Sequence, residues 1–241
     1  MTSPARVPLL RLEDVHVHLG RSHVLQGVTF EVAAGGVTAL LGRNGVGKTT
    51  TVKAVLGLVP RVGTIELEGR DIARLGTPAV VRLGVGYVPE DREVFSTLTV
   101  EENLRLAEQP GGTAAYDRVH ELFPELKTRR RQRAGTLSGG QQQMVAIARV
   151  LLGENRVLLV DEPTKGLAPK LVTEVAELLE RVAETTTVLL VEQNLAVVRR
   201  LARDVVVLDA GAVVHTGPAD DLLSDPDSAK RLLGVASRRS A

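Results

Sequence analysis

Short apolar runs recur along the chain, and the spacing of the polar residues around them separates strands from helices. Residues 10–19 and 28–32 alternate apolar and polar side chains, which predicts a pair of antiparallel strands. Compact runs bounded by turn residues predict further strands at 37–41, 64–68, 85–88, 157–160, 188–191 and 205–208.

Helical periodicity lies between these strands, at residues 48–58, 169–184 and 195–202. It also covers 100–150, where Thr99 and Glu102 have the spacing of a capping box. Buried strands that alternate with helices are typical of a mostly parallel sheet with helices on both faces. We therefore predict one α/β domain over residues 1–241, with an antiparallel β subdomain and a helical insertion at about 94–156.

Composition narrows the function classes. The chain has 241 residues, 44% of them hydrophobic, and its 30 basic and 29 acidic residues leave a net charge of +1. Such a balance argues against a strong positive field for nucleic acid, and 2% aromatic residues offer few stacking surfaces. No uncharged apolar run reaches the roughly eighteen residues of a membrane span, so we expect any action at a membrane to use partners.

A glycine-rich loop, GRNGVGKTT, follows the predicted strand at 37–41 and precedes a predicted helix. It has the G-x-x-x-x-G-K-[ST] spacing of a phosphate loop, whose amides cradle phosphate oxygens. We expect Lys48 to reach the β and γ phosphates and Thr49 to offer its hydroxyl to Mg²⁺. The candidate ATP-binding residues of this loop are Gly42, Arg43, Asn44, Gly45, Val46, Gly47, Lys48, Thr49 and Thr50.

Two carboxylates follow the apolar run VLLV at 157–160. A buried strand would deliver Asp161 to the end of the sheet, where a carboxylate can hold Mg²⁺ through water. Glu162 comes directly after it and can face an attacking water as general base. A strand that ends in solvated acids is common, but a phosphate loop in the same chain favours the catalytic interpretation.

A second glycine-rich turn, LSGGQQQ at 137–143, opens another predicted helix. Its candidate anion-binding residues are Ser138, Gly139, Gly140 and Gln141. One chain needs only one phosphate cradle, so we expect this turn to cover a nucleotide held by another subunit. The simpler alternative is a helix N-cap with flexible glycines.

By these motifs the sequence resembles the ATP-binding subunits of ABC transporters, with GRNGVGKTT as the Walker A motif, LSGGQ as the signature and VLLVDEP as Walker B. The stretches YVPEDREVFSTLTVEENL, ELFPEL, DEPTKGLAP and VEQN resemble the second ATPase subunit of branched-chain amino acid importers, which is related to those for urea and short amides. Gly234, in RLLG, falls in a terminal motif similar to one in that branch.

The resemblance implies a RecA-like P-loop ATPase core that uses ATP and Mg²⁺ and sits peripherally on the cytoplasmic face of the membrane. It also implies partners: a sister ABC ATPase or a second copy, two permease subunits, and indirectly an extracytoplasmic solute-binding protein, but no nucleic acid. A pocket for a permease helix is expected at residues 90–97 and the helical insertion.

Four positions depart from the general family pattern. Glu90 stands where a metal-binding glutamine is usual, and it still offers oxygen to Mg²⁺. Gln193 replaces the switch histidine, so it can donate a hydrogen bond to the γ-phosphate but cannot become charged. Leu19 replaces the aromatic residue that stacks on adenine, which predicts weak base recognition. Ala168 replaces an aspartate found in many relatives, so it offers no carboxylate for contacts across a dimer.

Alternative functions remain at this point. Within transport they are urea or short-amide uptake and, less favoured, lipid transport or export. A DNA-maintenance ABC ATPase would insert a coiled coil or a zinc module, for which the chain lacks length and cysteine; a ribosome-associated factor would carry two cassettes. The basic run 127–133 is expected to be a solvated helical face, and His16, His18 and His23 lack convincing metal-ligand spacing.

Overall fold

The computed structural model describes residues 8–108, 115–225 and 232, and Gly234 lies outside these ranges. The described strands form two sheets. They are β1 (Pro8–Leu19), β2 (Ser22–Ala33), β3 (Val37–Leu41), β4 (Val62–Leu67), β5 (Arg70–Asp71), β6 (Val85–Val88), β7 (Val157–Asp161), β8 (Thr187–Val191), β9 (Asp204–Asp209) and β10 (Ala212–Pro218).

Helices join and cover these strands. The described helices are α1 (Lys48–Leu56), α2 (Thr77–Arg82), α3 (Val100–Arg105), α4 (Tyr116–Leu122), α5 (Pro124–Thr128), α6 (Gly139–Leu151), α7 (Pro169–Ala183), α8 (Leu195–Leu201) and α9 (Ala219–Ser224). A short 3-10 turn spans Ala134–Thr136. Among the described helices, none is long and apolar enough to cross a membrane.

The first sheet is the predicted antiparallel subdomain, with the order β2-β1-β4-β5. The second has the order β10-β9-β3-β8-β7-β6, in which β10 is antiparallel and the other five strands run parallel. The α/β class with a mostly parallel sheet is therefore confirmed. Because parallel strands end at one edge, the residues after β3, β6, β7 and β8 meet at a common edge of this sheet.

The parallel strands are buried on both faces, which explains their uninterrupted apolar sequences. On one face Leu40, Leu159 and Val191 pack with α1 and the antiparallel sheet. On the other, Leu158 and Leu190 join the core formed by α6 and α7. The helices between β6 and β7 therefore share a core with the sheet, which fixes them relative to the edge where the strands end.

Several elements differ from the sequence prediction. The helical pattern of 100–150 is divided among α3, α4, α5 and α6 in the described residues, because turns interrupt it. The Thr99–Glu102 capping box at the start of α3 is confirmed. The prediction missed β5, α2, β10 and α9, which are short or half-exposed and carry little periodicity.

Candidate nucleotide site

The loop between β3 and α1 has the backbone that its glycines permit. Gly42 has φ of 141°, and a Cβ there would lie 2.3 Å from the Leu208 carbonyl oxygen. Gly47 has φ of 112°, and its Cβ would lie 2.6 Å from the Leu25 side chain. Both positions lie in the left-handed region and closely approach neighbouring atoms, so only glycine fits without rearrangement. The strand–loop–helix arrangement expected of a phosphate loop is present.

Lys48 lies inside this loop and is 4% exposed. Its Nζ donates hydrogen bonds to the carbonyl oxygens of Gly42 at 2.9 Å and Arg43 at 3.0 Å, and lies 3.7 Å from Glu162 Oε1. Burial lowers the pKa of Lys48, and the carboxylates of Glu162 and Asp161 oppose that shift. The loop therefore holds a buried cation against its carbonyls, next to a carboxylate.

Asp161, the last residue of β7, is fully buried. Neither carboxylate oxygen has a hydrogen-bond partner of normal geometry among the described residues. Burial raises the pKa of Asp161 to about 6, and the nearby Thr49 hydroxyl partly opposes this shift. A buried carboxylate with two unsatisfied oxygens beside a hydroxyl fits a divalent cation. The oxygens of Asp161 and Thr49 can serve as its ligands, and the cation would neutralise the buried charge.

Glu162 turns the chain out of β7 with a strained backbone. Its φ is 44°, in the left-handed region that is unfavourable for a residue with a side chain, and its N–H donates to the Val191 carbonyl at 2.9 Å. This turn brings the carboxylate, 7% exposed, back towards Lys48. Glu162 Oε2 also lies 3.4 Å from Lys165 Nζ.

The segment after β8 presents Gln193 to the same place. Its Nε2 donates to Asn44 Oδ1 at 2.6 Å and also to Glu162 Oε1. Glu192, 4% exposed, accepts hydrogen bonds from the backbone N–H groups of Gln193 and Asn194 and, at 2.7 Å, from the Thr164 hydroxyl. Glu192 thus ties Gln193 to the segment after Glu162. Sequence reasoning missed it; its signal was a carboxylate directly after an apolar strand.

Glu90 follows β6 and forms an ion pair with Lys165. Sequence reasoning predicted Glu90 as a metal ligand but missed Lys165, whose signal was its position three residues after Glu162. Hydrogen bonding to Glu90 raises the pKa of Lys165, so this side chain is charged at neutral pH. The structure therefore gives Glu90 a partner on the chain itself.

Several of these groups line a cavity of about 290 Å³, whereas Asp161 and Gln193 lie outside its lining. It brings together Asn44, Gly45, Gly47, Lys48, Thr49, Thr50, Glu90 and Glu162 from the predicted set, and adds Val24 and Lys165. Gly42, Arg43 and Val46 belong to the same loop without lining the cavity. Leu19, 44% exposed at the end of β1, does not line it either. In the described part of the chain, no lining residue comes from 137–143.

The second glycine-rich turn is a helix start. Ser138 caps α6, since its hydroxyl accepts from Gln141 N–H at 3.3 Å while the Gln141 amide oxygen accepts from Ser138 N–H at 3.0 Å. Gly140 packs against α7, where a Cβ would lie 2.7 Å from the Leu171 side chain. Within its own chain, Ser138 is therefore an ordinary helix N-cap. The N–H groups of Gly139 and Gly140, in the first turn of α6, have no intrahelical acceptors, so they are available to an anion.

Three histidines group on the β1–β2 hairpin. The His18 and His23 rings stack with centroids 4.1 Å apart, and His16 bridges His23 and Asp14 by hydrogen bonds of 3.1 and 2.9 Å. Over the described residues, no group of three or more His, Cys, Asp or Glu side chains has the arrangement of a metal site.

A larger groove of about 870 Å³ lies between β6, α3 and α6, beside the phosphate cavity. Phe95 and Leu106 line it and are 53% and 55% exposed, respectively. Pro89, Glu93 and Val94 also line it, so the segment after β6 borders both the groove and, through Glu90, the phosphate cavity. Three residues of the predicted 90–97 region, Glu93, Val94 and Phe95, therefore line this groove.

Comparison with protein families matches residues 25–165 to the ABC transporter family. The chain is similar to the high-affinity branched-chain amino acid transport ATP-binding protein BraG of Pseudomonas aeruginosa, with 39% identity over 94% of this chain and 100% of that protein. It is 33% identical to the probable branched-chain amino acid transport ATP-binding protein LivF of Archaeoglobus fulgidus, over 94% of this chain and 99% of that one.

The chain is also 33% identical to the methionine import ATP-binding protein MetN of Brucella abortus, over 92% of this chain and 63% of that protein. Among solved structures it is similar to a nucleotide-free ATP-binding cassette from an ABC transporter. That likeness has a TM-score of 0.80 and 26% identity, and covers 92% of this chain and 98% of that one.

Proposed function

We propose that this chain, which belongs to the ABC transporter family and hydrolyses ATP, energises a membrane importer, and that the importer takes up branched-chain amino acids. One observation carries the proposal: Lys48 and Glu162 line one cavity, Gln193 is hydrogen-bonded to Glu162 and Asp161 directly precedes it, in a chain similar along almost its whole length to a branched-chain transport ATPase.

Phosphate binding falls to the loop and Lys48. The buried ammonium group already lies among the loop carbonyls, so phosphate oxygens need only replace them as acceptors. Asp161, Thr49 and Glu90 would hold Mg²⁺, which would neutralise charge on the phosphates. The unsatisfied oxygens of Asp161 support that assignment, whereas the ion pair to Lys165 means that Glu90 must share its carboxylate.

Hydrolysis falls to Glu162 and Gln193. Glu162 would accept a proton from the attacking water, because its carboxylate faces the cavity and is held from three sides, by Lys48, Lys165 and Gln193. Gln193 would donate to the γ-phosphate and orient the water, and Glu192 fixes the backbone that carries it. The strained φ of Glu162 is typical of a position where geometry matters more than local stability.

The site is completed by a second ATPase chain. Among the described residues, the phosphate loop is the one glycine-rich turn that lines the cavity, and the first turn of α6, with Ser138, Gly139, Gly140 and Gln141, lies outside that lining. A second copy or a sister ATPase would bring that turn over the bound nucleotide. ATP then joins the two chains, and hydrolysis releases them.

The groove beside β6 is the proposed seat of a helix from a permease subunit. Its exposed Phe95 and Leu106 give it an apolar surface, and its volume suits a helical segment. The chain would then sit peripherally at the cytoplasmic face of the membrane. A displaced segment after β6 would carry the signal between permease and nucleotide, because it borders both sites.

The solute is tested by uptake in the host organism. Deleting the gene is expected to reduce uptake of radiolabelled leucine or isoleucine at least tenfold, with restoration by the wild-type gene but not by a Glu162→Gln gene. Uptake of methionine and of urea is measured in the same strains for comparison. The similarity to a methionine import protein favours methionine as the second candidate solute. Unchanged leucine uptake with lost methionine or urea uptake would contradict the branched-chain assignment.

Base recognition is tested by Leu19→Tyr. Leu19 is 44% exposed at the end of β1, in the same hairpin as Val24, which lines the cavity. If adenine lies over this position, a tyrosine ring should tighten ATP binding by up to about tenfold, since stacking contributes roughly 0.5–1.5 kcal/mol beyond area burial. Fluorescence titration with ATP and GTP measures it. Unchanged affinity would place the base elsewhere.

A further inference from the structure

Lys165 is a second cation of the phosphate cavity, and its principal contact is a carboxylate rather than the phosphate loop. Its Nζ pairs with Glu90 and lies 3.4 Å from Glu162 Oε2. The Nζ of Lys48, the first cation, lies 3.7 Å from the other carboxylate oxygen of Glu162, Oε1. Both lysines therefore contact Glu162, and Lys165 alone pairs with Glu90.

The charges that line the cavity are balanced, since Glu90 and Glu162 face Lys48 and Lys165. Buried Asp161 beside them adds an excess of one negative charge. Without Lys165 the excess would be two, at a place where a polyanion must enter. Glu90 has no other ion pair among the described residues, so removing Lys165 would leave the charge of Glu90 without a partner.

We propose that Lys165 is a positioning residue that neutralises Glu90 and thereby admits the triphosphate to the cavity. This inference builds on the proposed ATP-binding function. It gives Lys165 a role through Glu90, while Glu162 keeps its contacts with Lys48 and Gln193. The chain carries a glutamate beside the phosphate cavity, and the lysine offsets its charge from a loop 75 residues further along.

The test is nucleotide affinity in EDTA, which separates the effect from Mg²⁺ and from hydrolysis. Lys165→Met is expected to weaken ATP binding roughly tenfold, because the carboxylate of Glu90, no longer neutralised, would repel the phosphates over a few ångströms. Lys165→Arg should retain wild-type affinity. The double variant Glu90→Gln/Lys165→Met should return to within about threefold of wild type, because the charge that Lys165 offsets is gone.

Matched controls keep the result interpretable. Lys127→Met removes an exposed lysine from α5 and should leave affinity unchanged. Thermal unfolding of all variants should agree within about 2 °C, because Lys165 is 53% exposed and its pair contributes little to stability. With Mg²⁺ present, Lys165→Met should raise KM about tenfold and lower kcat less.

Two results would overturn the inference. Lys165→Met that binds ATP as tightly as Lys127→Met would show that the charge is unimportant. A double variant as weak as Lys165→Met would show that the lysine acts on the nucleotide directly and not through Glu90. Wild-type protein that fails to bind ATP would instead refute the proposed function, and this inference with it.

Discussion

Glu162→Gln is expected to reduce ATP turnover by about 10²–10⁴-fold, the usual contribution of a positioned general base. The amide keeps the size of the side chain but cannot take a proton from water. The structure favours Glu162 for this step because its carboxylate is turned into the cavity by a strained backbone and is contacted there by Lys48 and Gln193. Steady-state phosphate release measures the effect.

Nucleotide binding should survive this change, since Lys48, Thr49 and the loop amides are untouched. The variant should therefore accumulate as an ATP-bound pair of chains, which light scattering detects as a doubling of mass on addition of ATP and Mg²⁺. Glu121→Gln, an exposed carboxylate on α4, is the matched control and should hydrolyse ATP normally. Near-wild-type turnover by Glu162→Gln would exclude Glu162 as the base.

Lys48→Ala is expected to weaken ATP binding about 100-fold or more. Charge-assisted hydrogen bonds contribute about 1.5–3 kcal/mol each, and every 1.4 kcal/mol is a factor of ten in affinity. Removing this buried cation also leaves Asp161 and Glu162 less compensated beside an incoming polyanion. Lys53→Ala, an exposed lysine on the same helix, should bind ATP like the wild type.

Binding of a fluorescent ATP analogue, with competition by ATP, measures both lysine variants. A Lys48→Ala protein that retains ATP affinity within a few-fold would contradict the assignment of the phosphate loop. Thermal unfolding should show that the variant is folded, because α1 is also held by the core through Val52, Val55 and Leu56.

Much of this site was accessible from sequence because its parts are local. The phosphate loop is one contiguous stretch with conformationally necessary glycines, and Asp161 and Glu162 follow a strand whose apolar run is unmistakable. The same locality explains why the five parallel strands, β3, β6, β7, β8 and β9, were predicted within a residue. Short elements such as α2 and β5 were missed because they carry too few positions for a period to show.

The contacts that organise the site were not accessible in this way. Lys165 and Glu90 are 75 residues apart, and Gln193 and Asn44 are 149 apart, so no local pattern pairs them. They meet only because parallel strands end at one edge of the sheet. Thr164 and Glu192 follow the same logic, since they lie after neighbouring strands β7 and β8.

The shared site is the central claim, because it assigns the α6 turn to a nucleotide on another chain. Ser138→Arg would place a long side chain on the turn that faces that nucleotide, and should abolish turnover while leaving the phosphate loop of its own chain intact. The lost cap costs only about 1 kcal/mol of stability. Lys48→Ala has the opposite defect: an intact α6 turn but no functional loop.

Mixing these two inactive variants in equal amounts tests the claim most directly. In a mixed pair, the intact loop of the Ser138→Arg chain faces the intact turn of the Lys48→Ala chain, which rebuilds one complete site. Random pairing makes about half of the dimers mixed, so ATP turnover should recover to about a quarter of the wild-type rate. A mixture that hydrolyses ATP no faster than either variant alone would contradict a site shared between two copies of this chain.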